Sequence, residues 1–272
     1  MPPSHEGFTL LWSSDFQGPP GSLPDAKQWD VVQRGPNWGN KEVQSFVAGD
    51  KRVVRVEGQG LVIGPFHTGS DPTTNWLSAR LHGRQSFHAE PGHVMRIEAR
   101  LKVGAAPKEK QAGIWPSFWL LGDSYRNGGD STWPMCGEID IFENATGESF
   151  SIPAVHFGAS SETRQMRGGG QHRVNFDRST YHTWTLLIDR KSSSDWRNEK
   201  LQFLLDETKY FEVSGRDVGD EARWASVAHQ GIFPILQVAV GTNWDGGSQP
   251  NAQTGVGEEV GLAVGYVGVY SA

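Results

Sequence analysis

The chain has 272 residues, with 25 Lys and Arg against 31 Asp and Glu, a formal net charge of −6 that argues against nucleic acid as a partner. It has no apolar run long enough to span a bilayer and no basic, apolar leader at its start, so no membrane partner is expected and no signal peptide is visible. Cys136 is the only cysteine, which excludes an internal disulfide and a cysteine-based zinc site.

FTLLWSSDF (8–16) reads as an opening strand followed by a Gly/Pro loop. VEGQGLVIGPF (56–66) and NWLSARLHG (75–83) alternate or run apolar between glycines. In HVMRIEARLKV (93–103) apolar and charged residues alternate, the mark of a half-buried strand. GIWPSFWLLG (113–122) is a dense apolar run containing Pro116, a buried strand or the approach to one. GEIDIFEN (137–144), AVHFG (154–158), HTWTLLID (182–189), KLQFLLDE (200–207), PILQVAVG (234–241) and LAVGYVGVYS (262–271) complete the strands. The one predicted helix lies at 214–227, where Asp and Glu precede the apolar residues. Many short strands, 34 glycines for their turns and few helices predict an antiparallel β-sandwich. With no repeat, low-complexity segment or linker, one domain over 1–272 is expected. There are also 11 tryptophans, many beside Gly, Pro or polar residues. A packed core takes part of them; flat aromatic faces in a groove also suit sugar rings.

The stretch GEIDIFENA (137–145) sets three acids in an apolar, β-branched run. A plain alternation puts Glu138 and Asp140 on one face but turns Glu143 into the core, where a carboxylate is costly. One extra residue, a β-bulge near 141–142, returns Glu143 to the acidic face and keeps Ile139, Ile141 and Phe142 inside. Glu138 and Glu143 are then about four strand steps apart, roughly 13 Å between Cα atoms. Leaning together over a concave sheet, their carboxyl groups come to about 5–6 Å, close to the ~5–5.5 Å of retaining glycoside hydrolysis. Asp140 lies between them and raises the pKa of the acid by like-charge repulsion. Two other readings stay open on these residues alone: acids solvated on an exposed strand, and a calcium site built from clustered carboxylates. The aromatic and apolar flanks speak against the first, and the apolar strand context against the second.

At these residues the sequence resembles glycoside hydrolase family 16, in the bulged E-x-D-x-x-E form of laminarinase-like endo-1,3-β-glucanases. Supporting stretches follow in order over nearly the whole chain: LLWSSDF, GNKEVQSF (39–46), NWLSARL (75–81), GIWPSFWLLG, PAVHFG, QVAVGTNWDG and GYVGVY. The resemblance implies a β-jelly-roll sandwich (concanavalin-like) with a sugar-binding cleft across its concave sheet. It implies Glu138 as nucleophile, Asp140 as assisting acid and Glu143 as general acid/base. His156 would orient Asp140 or a sugar hydroxyl. Trp115, Trp119 and Trp133 would line the subsites around the cleaved bond, with core packing as the alternative for each. Asn40, Glu42 and Arg80 match polar positions near the non-reducing-side subsites, and Trp244 is a further candidate.

The sequence departs from the family at Gly265, where relatives carry an Asp that helps hold a structural calcium. No cofactor is expected to be required, and calcium is left open. Gln237 stands where relatives often have Asn, and the GGGQHRVNF loop (168–176) is expected to edge the cleft. The implied activity is retaining endo-hydrolysis of 1,3-linked β-glucan by a monomer, with a polysaccharide as sole partner. Transglycosylation, mixed-linkage β-glucan, galactans and a non-catalytic carbohydrate-binding relative are the alternatives. A polymeric glucan implies a secreted or cell-wall location.

Overall fold

The computed structural model describes residues 1–36, 39–58, 60–192, 194–243 and 247–272. Trp244 therefore lies outside the described residues. In chain order the strands are β1 (Thr9–Ser14), β2 (Trp29–Val31), β3 (Gln44–Phe46), β4 (Val54–Val56), β5 (Leu61–Ile63), β6 (Phe66–His67) and β7 (Trp76–Ser78). Next come β8 (Arg80–Gly83), β9 (Val94–Val103), β10 (Ile114–Gly122), β11 (Glu138–Glu143), β12 (Phe150–Ser151), β13 (Ala154–Phe157) and β14 (Gln165–Gly168). The last are β15 (Val174–Asn175), β16 (His182–Asp189), β17 (Lys200–Leu205), β18 (Thr208–Ser214), β19 (Ile232–Val240) and β20 (Leu262–Ser271). The helices are α1 (Ser124–Gly128), α2 (Gly215–Val218) and α3 (Glu221–Ala228).

Among the described residues, two antiparallel sheets form a β-sandwich of the jelly-roll kind. One runs β18-β17-β16-β9-β20-β5-β4, with β1 on β20; the other runs β14-β13-β11-β10-β19-β8-β2. The alternation in β9 sends Met95, Ile97, Ala99, Leu101 and Val103 into the core between the sheets. From β10 the core takes Ile114, Phe118 and Leu120, and from β19 it takes Leu236, Val238 and Val240. The alternate residues Trp115, Ser117, Trp119 and Leu121 are left on the opposite face of the second sheet, which carries the cleft. Pro116 sits inside β10, opposite Val238, so the run 114–122 is strand throughout.

The short strands β2, β3, β12, β14 and β15 and the helix α1 were not expected, and three further departures bear on the packing. The helix expected over 214–227 is two helices, because Gly219 takes a left-handed φ of 78° and ends α2. Asp220 then restarts the chain, its side chain accepting from Arg223 N. Strand β18 was not foreseen: its hairpin turns on Asp206 and Glu207 at φ 45° and 67°, a turn that sequence usually signals with Asn or Gly. Finally, two of the charges of β9, Arg96 and Glu98, are buried, while Arg100 and Lys102 keep contact with solvent. Glu98 is fully buried on the outer face, accepting from Arg96 Nε at 2.6 Å and the Tyr266 hydroxyl at 2.9 Å, with His5 Nε2 at 3.0 Å. The N-terminal segment covers it.

Candidate active site

The acidic strand is bulged. Its register against β10 pairs Leu121 with Glu138, Leu120 with Ile139, Trp119 with Asp140, Phe118 with Phe142 and Ser117 with Glu143. Ile141 is the extra residue. Ile139, Ile141 and Phe142 are all buried in the main core, so the bulge hides three apolar side chains and frees three acids. Gly137 fixes the start of the strand. It has φ 69°, and a Cβ there would lie 2.0 Å from the Ser226 carbonyl oxygen of α3, so only glycine lets the strand approach that helix.

The three acids open into a cavity of about 700 Å³ lined by Trp115, Trp119, Trp133, His156, Asn40, Glu42 and Arg80. Every described residue expected at the site is therefore gathered there. Trp115 Nε1 donates to Glu143 Oε1 and Trp133 Nε1 donates to Glu138 Oε2, each at 3.1 Å. The Glu143 backbone N–H donates to the Ser151 hydroxyl. His156 Nε2 faces both Glu138 Oε1 at 3.7 Å and Asp140 Oδ2 at 3.4 Å. One imidazole thus spans two carboxylates, and the two tryptophans hold the outer pair. Trp119 is nearly buried and packs with Leu121, Cys136, Phe233 and Ile235, so it combines packing and lining. The Arg80 guanidinium lies 4.5 Å over its ring.

Burial raises all three acids. Glu138 is pushed up to about 7 by burial and by the charge of Asp140, against His156, Arg80 and the Trp133 N–H. Burial pushes Asp140 up to about 8. Glu143 is raised well above its ordinary value by burial and by the charges of Asp140 and Glu138, and His156 and then the Trp115 N–H only partly offset this. Three ionised carboxylates cannot share so dry a face, and protons remain on the group at neutral pH. Glu42 is likewise pushed up to about 7 by burial, opposed first by the Gln44 amide that donates to it at 2.7 Å. Arg80 Nε donates to His82 Nε2 at 2.7 Å. Burial first, then Arg80 and Arg126, press His82 down to about 2, so it stays a neutral acceptor.

Sequence reasoning did not name Ser117, Tyr125, Asp130, Arg164, Met166 and Asn243 as lining residues, and it noted Gln237 only as a departure. Ser117 and Gln237 share their face with Trp115 and Trp119 by strand alternation, so that signal was present. Tyr125 and Asp130 sit on the 123–136 excursion between β10 and β11, whose path has no periodic signal. Gly169 and Gly170 bring the 168–176 loop to the cleft, as expected of it. Among the described residues, Trp119 Nε1 and Gln237 Oε1 are buried with no protein hydrogen-bond partner, a donor and an acceptor suited to polar ligand groups. A Cβ at Gly265 would have Arg100 Nη1 as its nearest neighbour, at 3.3 Å. A missing carboxylate beside a guanidinium does not fit a calcium ion there.

The sequence pattern of the Glycosyl hydrolases family 16 matches residues 85–259. The chain belongs to glycosyl hydrolase family 16. Beta-glucanase of Rhodothermus marinus is 30% identical over 97% of this chain and 85% of that protein. Glucan endo-1,3-beta-glucosidase A1 of Niallia circulans is 23% identical over 92% of this chain, which spans 36% of that longer protein. The crystal structure of endo-1,3-beta-glucanase from Streptomyces sioyaensis matches with a TM-score of 0.85 at 29% identity, over 100% of this chain and 99% of that one. The family 16 match begins at residue 85, beyond Asn40, Glu42 and Arg80, whereas the structural match includes them.

Proposed function

We propose that this family 16 protein is a retaining endo-β-glucanase that hydrolyses 1,3-linked β-glucan outside the cell or in its wall. The observation that carries the reading is the bulge at Ile141, which sets Glu138, Asp140 and Glu143 side by side on the cleft face. Glu138, as carboxylate, attacks the anomeric carbon while the Glu143 carboxyl gives its proton to the leaving oxygen. Esterification removes the Glu138 charge, which lowers the pKa of Glu143. It can then take a proton from the water that breaks the ester, returning both groups to their starting state. Asp140 holds Glu143 protonated in the first step, and His156, facing both Glu138 and Asp140, favours the carboxylate of Glu138.

The cleft supports a neutral polymer. Two arginines, Arg80 and Arg164, line it against the five acids Glu42, Asp130, Glu138, Asp140 and Glu143, a poor match for a sulfated galactan. The names of the Streptomyces, Niallia and Rhodothermus relatives support a β-glucan. The test is product analysis on laminarin, lichenan and agarose, with Glu138→Gln and Glu143→Gln as controls. Laminarin oligosaccharides with β configuration at early times are expected by proton NMR. Full activity in Glu138→Gln sinks the mechanism, and cleavage of agarose alone sinks the substrate.

A further inference from the structure

The cavity has two arms about β11. Towards the β14 edge it is lined by His156, Arg164 and Met166; towards the β2 edge by Gln237, Arg80, Glu42, Tyr125 and Asp130. On the second arm the walls meet. One wall is the 123–136 excursion carrying Tyr125 and Asp130; the other is the segment after β2 carrying Asn40 and Glu42. Arg34, on that segment, reaches from Nη2 to Asp130 Oδ2 at 2.8 Å. The Tyr125 hydroxyl donates to the other Asp130 oxygen at 2.7 Å. Asp130 lines the cavity, and Arg34 follows β2, the edge strand beyond β8, so the pair stands at the β2 end of the arm. Asp130 first and then Tyr125, both on the opposite wall, raise the pKa of Arg34, so the charge contact joins the two walls at this point.

We propose that the Arg34–Asp130 pair is a clasp that ends the β2-side arm and sets how far from a chain end this protein cuts. The inference rests on the β-1,3-glucan reading above. From β11 to β8 there are three strand spacings, about 14 Å at ~4.8 Å each, the length of about three linked pyranose rings. With the clasp closed, that arm takes a chain end of about this length. An internal stretch of glucan threads through only when the clasp opens. Both side chains are about half exposed, 42% and 58%, so the pair is a weak, openable contact and not a buried strut. Cuts near one chain end are therefore favoured over distant ones, within an otherwise endo-acting cleft.

The test uses the full chain on linear β-1,3-gluco-oligosaccharides of about five to nine residues, labelled at the reducing end, with the cut located by mass spectrometry. The wild type is expected to keep its main cut about three residues from one end as the chain lengthens. Arg34→Asp puts two carboxylates face to face and should raise the share of more distant cuts by about threefold, the scale of one exposed ion pair. Arg34→Gln, which removes only the charge, should move it the same way to a smaller extent. Arg34→Asp with Asp130→Arg rebuilds the pair and should restore the wild-type pattern. A purely structural role would lower the rate on every substrate and leave the cut in place. Scattered cuts by the wild type, or an unchanged pattern in both single variants, overturn the clasp alone. Failure of the wild type to cut any member of the series overturns the substrate reading and the clasp with it.

Discussion

Replacing Glu138 by Gln should make the protein more stable and inactive at once, and only above a certain pH. Folding raises this carboxyl from 4.5 to about 7, chiefly by burial and then by the charge of Asp140. At 1.36 kcal/mol per pH unit, holding it ionised in the fold costs about 3 kcal/mol. Its neighbours titrate with it, so about 1–3 kcal/mol is the share a single substitution recovers. The sign follows from proton binding. Between pH 4.5 and 7 the folded chain binds more protons here than the unfolded chain, so wild-type stability falls as pH rises through this window. Gln is neutral at every pH and escapes that fall. Thermal unfolding at about pH 4 should show no difference between the two proteins. At about pH 8 the variant should melt about 3–8 °C higher, on the scale for a chain of this size. Its turnover should be lower by at least about a thousandfold. An equal gain at both pH values would place the effect in packing. A lower melting temperature at the higher pH would mean that the fold stabilises the Glu138 carboxylate, and the account of the site would fail.

His156→Asn removes a group that holds Glu138 down, so the acid limb of kcat/KM, which follows Glu138 ionisation, should move up by about half to one pH unit. An unmoved limb would show that His156 does not act on Glu138. Trp115→Phe removes the N–H that favours ionised Glu143; the basic limb should rise by up to about one pH unit, read from the same profiles. Gly137→Ala meets both a positive φ and the Ser226 carbonyl, and should lower stability by about 2–4 kcal/mol in denaturant titration. Gly219→Ala, at φ 78° but with its nearest atom at 3.9 Å, should lose only about 1 kcal/mol. Similar losses in the two would remove the steric argument at Gly137.

Five strands of the cleft sheet, β8, β10, β11, β13 and β19, were legible from alternation or an apolar run, whereas the short edge strands β2 and β14 were not. In β10, Ile114, Phe118 and Leu120 leave Trp115, Ser117 and Trp119 no face but the cleft. The bulge was legible for the same reason, since a carboxylate at position 143 cannot follow Ile141 into the core. Sequence reasoning fell short where long-range partners decide. Nothing local in HVMRIEARLKV announces that His5, Tyr266 and Tyr270 close over Glu98. Nor does the 123–136 excursion declare that Asp130 meets Arg34, 96 positions earlier (130 − 34). Asn40 and Glu42 were placed in the cleft by resemblance alone. Their neighbourhood is held by Gln44, which gives its amide N–H to Glu42 and accepts from Val240 N.

The surplus residue at Ile141 lets the two faces of β11 keep separate counts. Take it away and Glu138, Asp140 and Glu143 still alternate with Ile139 and Phe142, acids to the cleft and apolar residues to the core. A single-codon deletion would thus change the spacing of the acids along the chain while leaving them on the same face. What it would remove is one fully buried isoleucine, worth about 2–5 kcal/mol in a packed interior. The regular and bulged forms of this strand are one in-frame step apart, and it is the filling of the core, not the chemistry of the acids, that holds the chain to the longer form.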